Sequence, residues 1–513
     1  MKKIIYFFGI VFLAIVVILN LVFTANLDAS EHIAINFNSF FYVAGLVFLG
    51  LFIFLITKLI DKHLFNDTEQ KSKKELRIFL FVAALSLYLL FSVLWIIFVV
   101  PGVGGDQIHA CNLAQTFYRG NVEEFLPNLT YAGIPLRDYM QAYHQQISLA
   151  FVFSVLFKII RFDQFMILRG FNIICNLLIV FALYKICKQL SKKYKTNKVL
   201  LFALILTFIS LPMLATFIYG DIPSLALCLF AVYFMMRYTE TKEIKYPIFA
   251  SLLTMVAYMM RMNSLIFIIA TVIYLLLCLF KEIKANSWKK NLLNIAIIGM
   301  YIVVSILPSS LVKNYYLDKY AMDKSKAYPN ISYFLMAMEE GPRANGWYNE
   351  GIGEPALKDP ENKKVEYVGK IKERLNYFSK HIGYTFDFYT KKLASMWTEN
   401  TYSAVRNNTR QDNDPIENMI KPLTFYQKVL LILTCLCSLI VLLQNRKDLS
   451  LDVLFLITIF IGGFAFHILW EAKSRYIIPY IVALIPVASI SIHSMGIKEK
   501  VTNLFSKILN RKK

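Results

Sequence analysis

The chain has 513 residues, 57% of them hydrophobic and 17% charged, and its mean hydropathy is +0.52. A water-soluble protein of this size carries about a quarter charged residues. Here apolar residues gather into runs near the ~20 needed to cross a bilayer, so the composition excludes a soluble fold and predicts an all-α polytopic membrane protein. The formal charge of +21 does not point to nucleic acid. Its Lys and Arg residues lie in short connectors and at the C-terminus, the positive-inside pattern, and no basic–aromatic groove accompanies them.

In chain order, spans are expected at 4–24 and 37–59, separated by a connector with Asp28 and Glu31 and no Lys or Arg, which places it outside. The connector Lys58–Arg77 is basic and therefore cytoplasmic, and a third span, 77–100, rises from it to deliver a polar loop, 101–165, to the outer face. That loop opens with Gly102-Val103-Gly104-Gly105, which lets the backbone turn, and then presents Asp106. Residues 147–160 are too short for a comfortable span. Treating them as a helix in the outer interface keeps the basic run Lys185–Lys198 inside.

Further spans are expected at 166–187, 199–218, 222–238, 246–260, 263–280 and 291–312. The connectors alternate between basic (Lys188–Lys198, Arg237–Lys245, Lys281–Lys290) and very short (Gly220-Asp221, Arg261-Met262-Asn263). Residues 313–426 form a long polar region expected outside as a small folded lid, with turn signals at Gly341-Pro342 and Asn345-Gly346-Trp347. Spans at 427–445, 452–469 and 474–494 and a basic tail to Lys513 complete about twelve helices with both ends cytoplasmic. The implied organisation is two N-terminal helices and a loop (1–76), a transmembrane core (77–312), the extracytoplasmic region (313–426) and the C-terminal helices (427–513).

Most of the seven cysteines lie in or beside apolar spans, with only Cys111 in a polar loop, so no disulfide framework is expected. Notable polar residues instead collect on the expected outer side: Asp106, His109, His144, Arg161, Arg169, Asp221, Arg261, Glu471, Lys473 and Arg475. Cations at outer helix ends run against the positive-inside trend, and an anionic ligand such as a lipid phosphate is one reason for them. Plainer roles are available too. Asp221 suits a helix start before Pro223, Glu471 and Arg475 have the spacing of an intrahelical ion pair, and Arg261 can snorkel to headgroups. No phosphate-binding Gly-rich loop, dinucleotide fingerprint, His/Cys cluster or nucleophile elbow occurs. Asp106 is followed by Gln107, so no adjacent acidic pair marks a metal site, and no cofactor is indicated.

The order of these motifs resembles the polyprenol-dependent membrane glycosyltransferases of the GT-C fold, in particular bacterial relatives of the protein O-mannosyltransferases and aminoarabinose transferases. The matching residues are Gly105-Asp106-Gln107, Tyr143-His144-Gln145-Gln146, Arg169-Gly170-Phe171-Asn172, Tyr219-Gly220-Asp221-Ile222-Pro223-Ser224, Arg261-Met262-Asn263 and Trp470-Glu471-Ala472-Lys473-Ser474-Arg475-Tyr476. The two N-terminal spans look like an addition to that pattern. The resemblance implies a sugar donor on a polyprenyl phosphate, an acceptor (glycan, lipid or protein) at the outer face of the cytoplasmic membrane, and Asp106 as general base. It further implies substrate contacts from His144, Arg169, Asp221, Arg261, Asn263, Glu471, Lys473 and Arg475, with Trp347 covering the sugar or acceptor. The family often has a second acid beside the first; Gln107 stands there, which leaves metal dependence open. A lipid-linked glycan flippase or transporter, or a glycan polymerase or ligase, are the alternatives. A transporter predicts charges inside the spans, whereas here they gather at one surface.

Overall fold

The computed structural model describes residues 1–491 except 66–70, 100, 126–129, 132, 284–286, 410–413 and 447. The basic tail beyond 491 lies outside the described residues. Ten described helices are long and apolar enough to cross a bilayer. The other two expected spans correspond to the shorter helices Lys245–Met260 and Ser474–Ala488. Strand structure among the described residues is confined to two short hairpins, Phe23–Leu27 with Ile33–Phe37 and Thr130–Tyr131 with Ile134–Pro135.

The helices differ sharply in how much they bury. Phe40–Phe65 and Lys71–Phe98 present bulky apolar side chains outward, with Phe41, Phe48, Phe79 and Phe98 largely exposed, as lipid-facing helices do. The first helix, Lys2–Val22, behaves otherwise. Leu13 and Val16 are fully buried against the helices Ile420–Gln444 and Leu451–Leu469. The amide of Asn20, also buried, donates to the Trp397 carbonyl at 3.1 Å. It is therefore a core element, not the appendage its position suggested.

The expected interfacial segment is the helix His144–Ile160, bent by 115° from Leu136–Ala142. It packs on the helix Asp106–Arg119 and beside the C-terminal half of Trp288–Lys319, with Ser148 bonded to Ser309 and Phe151 against Tyr316. Its start lies beside Gly220, where a Cβ would meet the Leu149 side chain at 3.0 Å and the Met260 carbonyl at 3.1 Å. Gly220 also has φ +80°, so only glycine fits this crossing without strain.

The region 313–426 folds around small apolar cores, one built on Leu335, Met336, Ile352 and Tyr367 together with Ala142 of the helix Leu136–Ala142, and another on Met338, Phe378 and Phe388. Asp359 caps the long helix Pro360–Lys380, with proline at its first position where no N–H is needed. Lys392 ties the region down: its buried ammonium donates to the carbonyls of Ala337, Ile468 and Trp470 at 2.8–3.1 Å. Three acceptors satisfy all three of its donors, which is what lets a lysine be fully buried.

Candidate active site

Asp106 is the first residue of the helix Asp106–Arg119, reached through Gly105 at φ +55°. A carboxylate there faces unpaired backbone N–H groups and the positive helix end, which suits it electrostatically. It is exposed, and its two oxygens each accept a phenolic hydrogen bond, Oδ1 from Tyr139 at 3.2 Å and Oδ2 from Tyr219 at 3.0 Å. Burial, reinforced by the Asp106 charge, holds both phenols well above their ordinary range, so they stay protonated and donate. His109 is buried and stacked on Tyr139, ring centroids 4.1 Å apart, and its Nδ1 bonds the Gly105 carbonyl rather than Asp106. Gln107 accepts from the backbone N–H of Ile218 at 2.9 Å, which locks the Asp106 loop to the Tyr219 segment.

Tyr219 joins the acid to a group of cations. The Arg261 guanidinium lies 4.7 Å from the centre of the Tyr219 ring, and the hydroxyl of the same ring reaches Asp106. Arg261 and Arg475 both approach Oδ1 of Asp221, at 3.4 and 3.6 Å, and Arg475 also sits 3.9 Å over the Phe217 ring. Asp221, Arg261, Asn263, Arg475 and Tyr476 line a narrow cleft. Within it Oδ2 of Asp221 and Nε of Arg475 are buried without hydrogen-bond partners, so the cleft has polar valences to offer a ligand.

The segment after Leu469 is not the helix its sequence suggested. Trp470 and Lys473 are extended, and helical turns resume only at Ser474. The expected i, i+4 pair between Glu471 and Arg475 does not form, because the intervening backbone is stretched and Arg475 turns to Asp221. The stretch is held open by the Ala472 N–H, which donates to the Gly346 carbonyl at 2.8 Å, and by Lys392 on the Trp470 carbonyl. Extension separates three neighbouring charges. Glu471 is buried within electrostatic range of Lys473 and Asp106, and burial, with Asp106 adding to it, pushes its carboxyl up. Lys473 turns the other way and meets Glu31 at 3.1 Å; its burial and the Arg475 charge push its amine down.

Five further residues singled out in the sequence fall elsewhere or play plainer parts. Arg169 is buried and donates to the Pro101 carbonyl at 2.9 Å, anchoring the start of the Asp106 loop outside the cation group. His144 begins its helix facing Lys313 and Lys324, and burial lowers its pKa. Trp347 cannot cover a sugar: it is 1% exposed and its indole donates to Ser395. Asn263 starts the helix Ser264–Glu282 and contributes to the cleft wall. Arg161 caps its helix in an exposed left-handed turn.

Sequence reading missed Arg343, Arg406 and Glu31. Glu31, in the turn of the first hairpin, meets Arg343, Arg406 (3.7 Å) and Lys473. Arg343 also pairs with Glu350 at 2.5 Å. The only hint was negative: Glu31 marked a connector without cations. A wider cleft lies among Gln189, Lys192, Glu240 and Asp452 and contains none of the predicted site residues. Among the described residues no group of three or more His, Cys, Asp or Glu side chains comes together as a metal site.

The fold and this site define a polytopic helical membrane protein with its ionisable residues collected at helix ends around an open carboxylate. Residues 145–308 match the model of the dolichyl-phosphate-mannose-protein mannosyltransferase family, so that part of the chain is similar to this family. No curated protein matches the chain. Among solved structures it is similar to the oligosaccharyltransferase of Archaeoglobus fulgidus in the apo form, at 12% identity and a TM-score of 0.40, covering 84% of this chain and 52% of that one. The A. fulgidus oligosaccharyltransferase AglB, in complex with an inhibitory peptide and a dolichol-phosphate, gives the same identity and TM-score over 84% of this chain and 51% of that one. The chain thus spans about half the length of the solved structures it matches.

Proposed function

We propose that the protein transfers a sugar from a polyprenyl-phosphate donor to an acceptor hydroxyl at the outer face of the cytoplasmic membrane, with Asp106 as general base. The observation that carries this reading is Tyr219, whose hydroxyl holds Asp106 while its ring carries Arg261, so that a base and a phosphate-binding cation share one rigid mount. The acceptor oxygen attacks the sugar's anomeric carbon, its proton passes to Asp106, and the bond from that carbon to the phosphate oxygen breaks. Arg261, Lys473 and Arg475 stabilise the charge that collects on the departing lipid phosphate. Tyr139 and Tyr219 each occupy one lone pair of an Asp106 oxygen and fix its plane, leaving its exposed edge to the acceptor.

The test is transfer of radiolabel from undecaprenyl-phosphate sugars in inside-out and right-side-out vesicles, comparing wild type with Asp106→Asn at equal protein level. Transfer at the outer face that falls by about two orders of magnitude or more is the expected result. Wild-type transfer by the variant would remove Asp106 from the mechanism. Label that crosses the bilayer without being transferred would put a flippase in place of the enzyme.

A further inference from the structure

Glu31 stands in the turn between Leu27 and Ile33 with φ +64°, a left-handed conformation that a non-glycine residue adopts only at a cost. The turn is closed locally by the Asp28 side chain on the His32 N–H, so hairpin geometry does not need the glutamate side chain. That side chain nevertheless points inward, 14% exposed, and its two oxygens meet Arg343, Arg406 and Lys473. The three cations come from parts of the chain hundreds of residues away, and Lys473 is 442 positions from Glu31. Nε of Arg406 is buried with no hydrogen bond, so the carboxylate does not saturate the group around it. Two oxygens among three converging cations is the coordination a phosphate receives.

Resting on the donor-phosphate reading above, we infer that Arg343 and Arg406 join Lys473 and the neighbouring Arg475 in one anion site for the lipid carrier's phosphate, and that Glu31 is its internal competitor. The carboxylate occupies the site when the donor is absent, gives way when the phosphate binds, and returns to help expel the phosphate left after transfer. The hairpin that carries it is fastened to the rest of the chain through few backbone bonds, including Ile33 N–H to the Arg343 carbonyl and Ala25 N–H to the Thr398 carbonyl. The N-terminal hairpin thereby becomes part of the active site.

The sign of the test separates this role from a structural one, because damage to a fold does not tighten binding. Undecaprenyl phosphate binding to the full-length protein would be measured at about pH 6, below the value of about 7 to which burial and the Arg475 charge push the Lys473 amine, for wild type, Glu31→Gln, Lys473→Ala and the double variant. Inorganic phosphate serves as a second probe to separate headgroup recognition from lipid contacts. Glu31→Gln is expected to bind the lipid phosphate about tenfold or more tightly, and the gain is expected to vanish in the Lys473→Ala background. Unchanged or weaker binding by Glu31→Gln, with Lys473→Ala weaker than wild type, overturns the inference and leaves the donor-phosphate reading standing. Wild-type binding by Lys473→Ala and by Arg475→Ala alike takes down both. Should the glutamine variant fail to fold, Glu31→Asp, which draws the charge back by one methylene, carries the same test: tighter binding supports the inference, and unchanged or weaker binding overturns it.

Discussion

At the scale of single residues, Tyr219 performs two separable tasks. Tyr219→Phe removes the hydroxyl from Asp106 and from Gln146 but keeps the ring beneath Arg261. A hydrogen bond to a charged group is worth about 1.5–3 kcal/mol, so the transfer rate is expected to fall roughly tenfold to hundredfold with donor affinity little changed. Tyr219→Ala also strips the ring from Arg261, and donor affinity is then expected to fall as well. Steady-state kinetics against donor concentration separates the two, and equal losses of affinity in both variants would contradict the division of labour. Asp106, Asp221, Arg261 and Arg475 stood out in the sequence because each sits at or near the end of an apolar span, where a charge has few places to go. Tyr139 and Tyr219 were less visible, since tyrosines are plentiful in this chain and only folding shows which hydroxyls converge on an acid.

At the scale of elements, the stretched segment Trp470–Lys473 decides where three charges point. An i, i+4 spacing reads as a helix when nothing else is known, and the chain departs from that expectation because two distant elements pull on its backbone: the Gly346 carbonyl and the Lys392 ammonium. Lys392→Met would take the donor from three carbonyls, the buried one of Ala337 and the part-buried ones of Ile468 and Trp470, at up to about 1–3 kcal/mol each before relaxation. We expect a markedly lower thermal unfolding midpoint and a loss of transfer larger than the loss of fold, because the Glu471–Arg475 stretch would recoil. A thermal scan beside an activity measurement checks both, and a variant with wild-type midpoint and rate would mean that the segment is extended for another reason. The 313–426 region was expected as a lid over the substrate through Trp347. Its indole instead packs inward, and the region serves the site through Arg343, the Gly346 carbonyl and Arg406.

At the scale of the whole molecule, spans were legible from apolar runs and connector charge, while the packing role of each span was not. Lys2–Val22 and Phe40–Phe65 read alike as hydrophobic stretches, yet the first is a core helix and the second is mostly lipid-facing. Apolar composition cannot distinguish the two, because lipid and protein interior accept the same side chains. Only the buried Asn20, bonded to the Trp397 carbonyl, betrays a helix that faces protein. A chain begun at residue 38, lacking the first helix and the Glu31 hairpin, is therefore expected to be unstable in detergent, whereas an anchor-like helix would be dispensable. Size-exclusion profiles of the two chains check this directly, and a monodisperse truncated protein with full transfer activity would contradict it.

The central claim is that one end of the bundle holds a donor phosphate and a base as separate functions. Its most direct test is single-turnover transfer from pre-bound labelled donor in Asp106→Asn, with donor binding measured on the same preparation. Binding within about threefold of wild type, with transfer slowed by two orders of magnitude or more, is the predicted result. Transfer at the wild-type rate from normally bound donor would contradict it.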